Sequence, residues 1–419
     1  MLDSARQPQA VRYGNDELYQ QMHEDALMLI ESLGVKVSNT AAQKIMAALD
    51  PEQAPGLIYS ESDGRFFVTR PVIDDCLNRV SRNLDYWPYG FGTGGMAAYI
   101  VDTEGPRAAQ LEDIKRLAEI FGRTDELTSL QASFNVCNRI KKADVHKRGE
   151  VECGIIDHMV EQARGKLITP TIISERGIDH LAAYRRQGVR VGAALSIIST
   201  YLTVSDEMVD PFLRTVQNDI PYIMNSMPIG GLTGPYSMTA LATQAHAEAL
   251  FGLILGQLIR PGIPAINAAM PTMADLGRND MPLMFGSRAN TMLNILLAEL
   301  NIYLGLPCCQ SACGHSRDIL DEEARIELAQ TYTLVDMYPH HVTRHLFGFA
   351  SQLNDFSIDN LLREIELYRE ISRNPAEVVL PKPAQYDPEG VETIIEGFTR
   401  ADFRNLDHTL KNVGRAFNI

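Results

Sequence analysis

With 419 residues, 45% of them hydrophobic, the chain can bury a barrel-sized core with additions, or build two domains. Its formal net charge is −15, with acids dispersed rather than blocked, which argues against nucleic acid or anionic membrane as a partner. Six cysteines without disulfide-framework spacing, a polar start (MLDSARQPQAVRYGNDE) and no apolar run of bilayer length point to a reducing cytoplasm.

Residues 1–125 read as an extension of mixed helical and hairpin character. A helix is predicted from Asp16 to Leu33, with Leu18, Met22, Ala26, Leu29, Ile30 and Leu33 on one face and Gly34 as its stop. FFVTR (66–70) and AAYIVD (97–102) are strand-like, TEG (103–105) reads as a turn, and LEDIKRLAEIFGR (111–123) as a helix. GFGTGG (90–95) has glycines but no strand-to-helix context, so it is read as a loop and not as a phosphate cradle.

From about Leu130 one unit recurs: apolar strand, Gly/Pro/Asn-rich loop, amphipathic helix, stopping glycine, next strand. Its clearest stretch runs from Ile220 to Pro271. Strands separated by a long helix cannot form a hairpin, so they are expected to be parallel neighbours in one sheet. The candidates are ASFNV (132–136), LITPTII (167–173), VGAALSII (191–198), PYIMNS (221–226), PAINA (264–268) and PCCQSA (307–312), with weaker HVTRHL (341–346) and EVVL (377–380). Gly165, Gly188, Gly262 and Gly305 stand where helices stop, and Ser174, Ser205 and Ser287 where they start. No Gly-rich dinucleotide fingerprint follows the first strand. The expectation is an α/β chain whose residues 126–385 form a TIM (β/α)8 barrel, with 386–419 a short helical tail. Function in such a fold gathers at the carboxyl ends of the strands.

Five segments carry a family resemblance: MHEDALMLIESLGVKVSN, FGTGGMAAYIVDTEGPRAAQLEDI, MPIGGLTGPYSMTALATQAHAEALFGLILGQLIRPGIPAINAAMP, LNILLAELNIYLGLPCCQSACGHSRDILDEEA and HLFGFASQLNDFSIDNLLREIE. Together they span about residues 20–370. The sequence resembles the trimethylamine methyltransferase family, in particular its members without pyrrolysine. The resemblance implies a barrel enzyme that moves a methyl group from a methylated amine, quaternary and betaine-like or tertiary, to the Co(I) of a corrinoid. That corrinoid would be carried by a separate partner protein, with no cofactor or metal bound directly. A quaternary amine leaves as a neutral tertiary amine and needs no general acid, which suits a site of ordinary residues. What remains is positioning, with reacting atoms about 3–3.5 Å apart.

A quaternary ammonium calls for aromatic faces, worth roughly 0.5–2 kcal/mol each. Tyr201, Tyr236, Phe347 and Phe349 are candidates, with Phe134 and Phe285, and Met270, Met273, Met281 and Met284 can line an apolar mouth. For each aromatic, core packing is the competing reading. In CCQSACGHSRD, Gln310 and His315 are the catalytic candidates and Cys313 a pocket residue. Asn135 and Asn225 end strands and can orient a polar tail; Arg344 and His345 can meet a carboxylate. Two alternatives stand beside the enzyme: a paralogue that binds a methylated amine without turning it over, motivated by the short C-terminal part, and a zinc enzyme using the 308–315 cluster. The spacing C-C-x3-C-x-H matches no known zinc set, and neighbours on a strand face opposite ways.

Overall fold

The computed structural model describes residues 11–137, 140, 144–312 and 314–413. Thirteen α-helices occur among them: α1 (Asp16–Met28), α2 (Asn39–Ala48), α3 (Arg70–Ser81), α4 (Leu111–Arg123), α5 (Val145–Gln162), α6 (Glu175–Arg186), α7 (Asp206–Gln217), α8 (Met238–Ile259), α9 (Arg288–Tyr303), α10 (Glu322–Met337), α11 (Ile358–Arg373), α12 (Gly390–Arg400) and α13 (Asp407–Asn412). Between them lie the parallel strands β1 (Gly90–Gly92), β2 (Leu127–Leu130), β3 (Leu167–Ile168), β4 (Ala193–Leu195), β5 (Tyr222–Ser226), β6 (Ala265–Ala269), β7 (Cys309–Ser311) and β8 (Val342–Arg344). The chain is therefore α/β with parallel sheets.

The register is simple. β7, β8, β1, β2 and β3 pair in that order, and β4, β5 and β6 form a second parallel run. Two parallel bridges, Ile168 with Val191 and Asn267 with Cys308, link the runs. Strand alternation sends one set of side chains to a shared apolar cluster: Leu167, Ala194, Ile223, Ile266, Ala268, Cys309 and Val342, packed with Trp87. The other set faces the helices. Tyr222 donates to the Gly252 and Leu253 carbonyls of α8, Ser226 bonds Glu248, and Cys308 contacts Ala298 of α9.

Helix starts follow local chemistry. Asn15, Ser38, Ser174, Ser287 and Ser357 each accept from a backbone N–H of the first turn; Ser205 stands at its N-cap without that bond. The predicted stops Gly165, Gly188, Gly262 and Gly305 all have φ between 67° and 84°. The first predicted helix is α1 continued by one π turn, Leu29–Leu33, and α4 has the predicted bounds.

Three expectations need correction. GFGTGG is no mere loop: Gly90–Gly92 is β1, hydrogen-bonded to both β2 and β8, so the boundary at 125/126 cuts between paired strands. A Gly-Phe-Gly strand lacks the apolar run by which strands are read, because its two flanking residues have no side chain. The strand expected at 132–136 lies earlier, at 127–130, and 132–136 is the loop that follows. Finally, 377–380 forms no strand, and Val379 is largely exposed.

Before β1, Val35–Lys36 and the hairpin Leu57–Ser60/Arg65–Val68 join Ile198–Ser199 and Thr203–Val204, past β4, in a five-stranded sheet. Past β8, Phe349–Ala350 and Asp355–Phe356 pair with the hairpin Tyr99–Asp102/Gly105–Arg107. α8 presents no polar face to solvent and is buried along nearly its whole length, its few polar side chains included, by α1, α3, α9 and α12 together with β5 and β6. None of the described helices is long and apolar enough to cross a membrane.

Gly256 lets α8 approach β5 this closely: an added Cβ would lie 1.9 Å from the Tyr222 hydroxyl oxygen. Gly256→Ala is expected to cost about 1–3 kcal/mol through overpacking, read by urea unfolding, with Tyr222→Phe recovering part of the loss. An unchanged midpoint would show that helix and strand separate freely here.

Candidate functional site

Two residues beyond the apolar cluster, the same alternation brings a polar layer to the carboxyl ends of the strands. Val342 faces the cluster, so Arg344 does too; Ile223 leads to Asn225, Ala268 to Met270 and Cys309 to Ser311. Arg344 is the hub. Its Nη1 donates to Gln131 Oε1 at 3.1 Å, and its Nη2 bonds Asn225 Oδ1, the Ala268 carbonyl at 3.2 Å and Met270 Sδ at 3.3 Å. These contacts tie the ends of β2, β5, β6 and β8.

Neutral groups extend the network. Gln131 donates to Thr171 Oγ1 at 3.0 Å, and its backbone exchanges two hydrogen bonds with the Thr93 hydroxyl. Asn225 Nδ2 donates to the Leu195 carbonyl, and Ser196 Oγ to the Asn225 carbonyl. Ser311 Oγ lies 2.8 Å from His345 Nδ1. Burial holds the His345 imidazole well below its ordinary pKa, with the Arg344 charge acting the same way. Arg344 is 3% exposed, its Nε has no partner, and no acid pairs with it among the described residues. An unpaired ion in such a place costs several kcal/mol.

The Gly94–Gly95 turn packs against this layer. Gly94 (φ 116°) would bring a Cβ within 3.0 Å of Arg344 Cδ and His345 Nε2, and Gly95 (φ 90°) within 2.5 Å of the Phe349 ring. Both backbone conformations and both contacts require glycine. Phe349 packs edge-on against His345 and Phe356.

The predicted site residues divide sharply. Arg344, Asn225, His345 and Phe349 come together, as does Met270. Gln310 does not: it faces the helices and lines a cavity of about 20 Å³ with Thr291, Asn294, Tyr338 and His340. Its neighbours Cys309 and Ser311 take the other face, as alternation demands. His315 is buried beside Glu364 of α11, Nε2 to Oε1 3.7 Å, and its Nδ1 accepts from the Arg317 backbone. Burial raises the Glu364 pKa. Asn135 caps a loop by accepting from the Cys137 N–H. Tyr201 bonds the Ala401 carbonyl and packs on Phe398 and Phe403. Tyr236 is buried with its hydroxyl on the Ala274 carbonyl. Phe347 belongs to a cluster with Phe91, Tyr332 and Tyr368. For these aromatics core packing is the observed role. Cys313 lies outside the described residues.

Gln131, Thr93, Thr171, Ser196 and Ser311 were not singled out from sequence. The signal for Ser311 was available: it is two residues beyond Cys309 on the same strand. Gln131 was hidden by the misplaced second strand. As for zinc, the described residues hold no group of three His, Cys, Asp or Glu side chains suited to a metal. Cys308 and Cys309 face opposite ways.

Titration gives a test of this buried polarity. Burial lowers the pKa of His23, His246, His340, His341 and His345, to about 4 for His23 and His341. Their neutral forms are what the fold holds, so stability is complete above the unfolded value of about 6.5 and drains as pH falls from there. Glu248 acts oppositely: burial pushes it up to about 7, so its contribution is present below about 4.5 and lost as pH rises through 7. Glu248→Gln is therefore expected to raise the unfolding temperature relative to the native chain by an amount that grows between pH 4.5 and 7 and then levels off. A pH-independent difference would mean that Glu248 is ionised throughout.

A family model described as "Trimethylamine methyltransferase (MTTB)" matches residues 191–418. The "Glycine betaine methyltransferase" of Desulfitobacterium hafniense is 21% identical over 168 residues, 40% of this chain and 35% of that protein. The "Trimethylamine methyltransferase MttB" of Methanosarcina barkeri is 23% identical over 161 residues, 38% of this chain and 32% of that protein. The matched stretch thus spans about a third of the length of these relatives. Among solved structures, a truncated 3-deoxy-D-arabino-heptulosonate 7-phosphate synthase from Thermotoga maritima aligns with 68% of this chain and 86% of its own at 9% identity, with a TM-score of 0.38. That likeness is too distant to bear on the fold.

Proposed function

We propose that this chain, which belongs to the trimethylamine methyltransferase family, is a methyltransferase whose eight parallel strands close into a (β/α)8 barrel. In support of closure, each strand pairs or bridges with the next in sequence and β8 with β1, around one apolar cluster. The observation that carries the functional reading is the polar layer around Arg344, at the carboxyl ends where barrel enzymes keep their chemistry.

The substrate in this reading is a quaternary methylamine. The C–N bond breaks, its electron pair stays on nitrogen, and a neutral tertiary amine departs; no proton is required. This suits a site in which His345 is held neutral and the amides and hydroxyls can orient but not protonate. A corrinoid on a partner protein would supply the Co(I) nucleophile that accepts the methyl group. The residues present fit such a visitor: beyond β1, β3 and β5, Met96, Tyr99, Ile173 and Met227 stay 37–47% exposed, an apolar rim of the kind a protein partner covers.

The test is methyl transfer from a panel of quaternary amines to a reduced corrinoid protein, read by loss of Co(I) absorbance. Transfer by the native chain is expected, together with at least a tenfold loss in Gly94→Ala, whose Cβ would press on Arg344 and His345. Gln310→Ala is expected to stay within threefold. Absence of transfer across the panel, with betaine binding intact, favours a binding paralogue.

A further inference from the structure

We propose that the groove between α1 and α3 is a second small-molecule site, which takes a hydroxylated primary amine of the amino alcohol or amino sugar class. The inference is independent of the methyl-transfer reading. Leu304 and Leu306 line the groove from the turn that leads into β7, so it sits at the amino end of that strand, away from Arg344. Its volume is about 350 Å³, within the range of small-molecule pockets. Asp74, Leu77, Asn78 and Ser81 recur at the spacing of one helical face, so a whole stripe of α3 is turned to the groove. His23 enters from α1.

Hydrogen-bond accounting fixes what His23 offers. Ala269 N–H donates to Asn267 Oδ1 at 3.1 Å, which leaves the Asn267 amide nitrogen toward His246 Nδ1, at 3.4 Å. An amide nitrogen only donates, so His246 accepts at Nδ1 and carries its proton on Nε2. That proton is donated to His23 Nδ1, 3.1 Å away, and His23 keeps its own on Nε2. Asn267 and His246 are fully buried, and burial holds both imidazoles below their ordinary pKa, which keeps the chain of bonds neutral. Each link points outward, from β6 to the groove, and the last is a donor.

The rest of the wall sets the chemistry of the ligand. Asp74 has no ion pair among the described residues, whereas its neighbour Asp75 meets Arg79, and no lysine or arginine lines the groove. An anion would face that carboxylate without a counter-charge; a primary ammonium would donate to it in a charge-assisted hydrogen bond. Ser81 Oγ donates to the Asn78 carbonyl and has lone pairs left for a ligand hydroxyl. His23 Nε2–H donates to a hydroxyl oxygen, and the three leucines face the carbon skeleton. A transition metal does not fit, because it needs the lone pair of a nitrogen that here carries the proton.

NMR titration of the methyl-labelled full chain at neutral pH tests this, since Leu77, Leu304 and Leu306 report on the groove itself. The probes are glucosamine and ethanolamine, which join charge to hydroxyls, with glucose for hydroxyls alone and tetramethylammonium for charge alone. Both amines are expected to shift the three leucine methyls and to bind at least tenfold more tightly than glucose or tetramethylammonium. Asp74→Asn, a change at an exposed position, is expected to lose amine affinity at least tenfold with an unchanged melting curve. Imidazole nitrogen shifts of the free chain are expected to show His23 protonated at Nε2 and bare at Nδ1. No leucine shift with either amine, glucose binding as tightly as glucosamine, amine affinity within twofold in Asp74→Asn, or a His23 bare at Nε2 would each overturn the assignment. None of these readouts depends on methyl transfer, so this site and the enzymatic reading stand or fall separately.

Discussion

A buried guanidinium can persist only where hydrogen-bond acceptors converge on it, and around Arg344 they come from the ends of three other strands, β2, β5 and β6. That requirement couples the strand register to the site. A slip of one residue in β8 would turn Arg344 toward the helices and Thr343 into its place. The apolar layer beneath, from Leu167 to Val342 and capped by Trp87, sets the register, because each of its members would otherwise face a different environment. Packing and site chemistry are thus two readings of one alternation, apolar first and polar two residues on.

Much of this was legible because helix boundaries and glycine stops are local. α1, α4 and the four predicted stop glycines follow from residues within one turn of each other. The strands of the 167–312 stretch were legible for a different reason: buried on both faces, they read as apolar runs. β1 was not, since Gly90 and Gly92 give it no pattern, and only its two neighbours define it as a strand. Missing it displaced the second strand as well, and Gln131 with it.

The site was legible where direction along a strand could be counted and illegible where it depended on loops. Gln310 and Ser311 differ by one position, and strand alternation turns their side chains to opposite faces, so only the latter meets His345. The aromatics depend on partners far along the chain. Tyr201, Tyr236 and Phe347 sit after strands, as a cation-binding face would, but each is absorbed by packing against a segment distant in sequence: Phe398 and Phe403, Ala274, and Tyr368 respectively. No local pattern encodes those partners. Arg344 was identifiable as a residue of interest, but its lack of an acid is a property of three dimensions.

α8 has a consequence for synthesis. Its 22 residues are shielded from water by α1 and α3, which leave the ribosome earlier, and by α9 and α12, which leave it later. During translation one side of the helix must wait, greasy and unattended, while some 130 further residues are made (Arg260 to Gly390). Such an interval invites capture by chaperones or clumping of nascent chains. Yield in a cell would then be governed by how quickly the ribosome delivers the C-terminal helices, more than by the stability of the finished molecule.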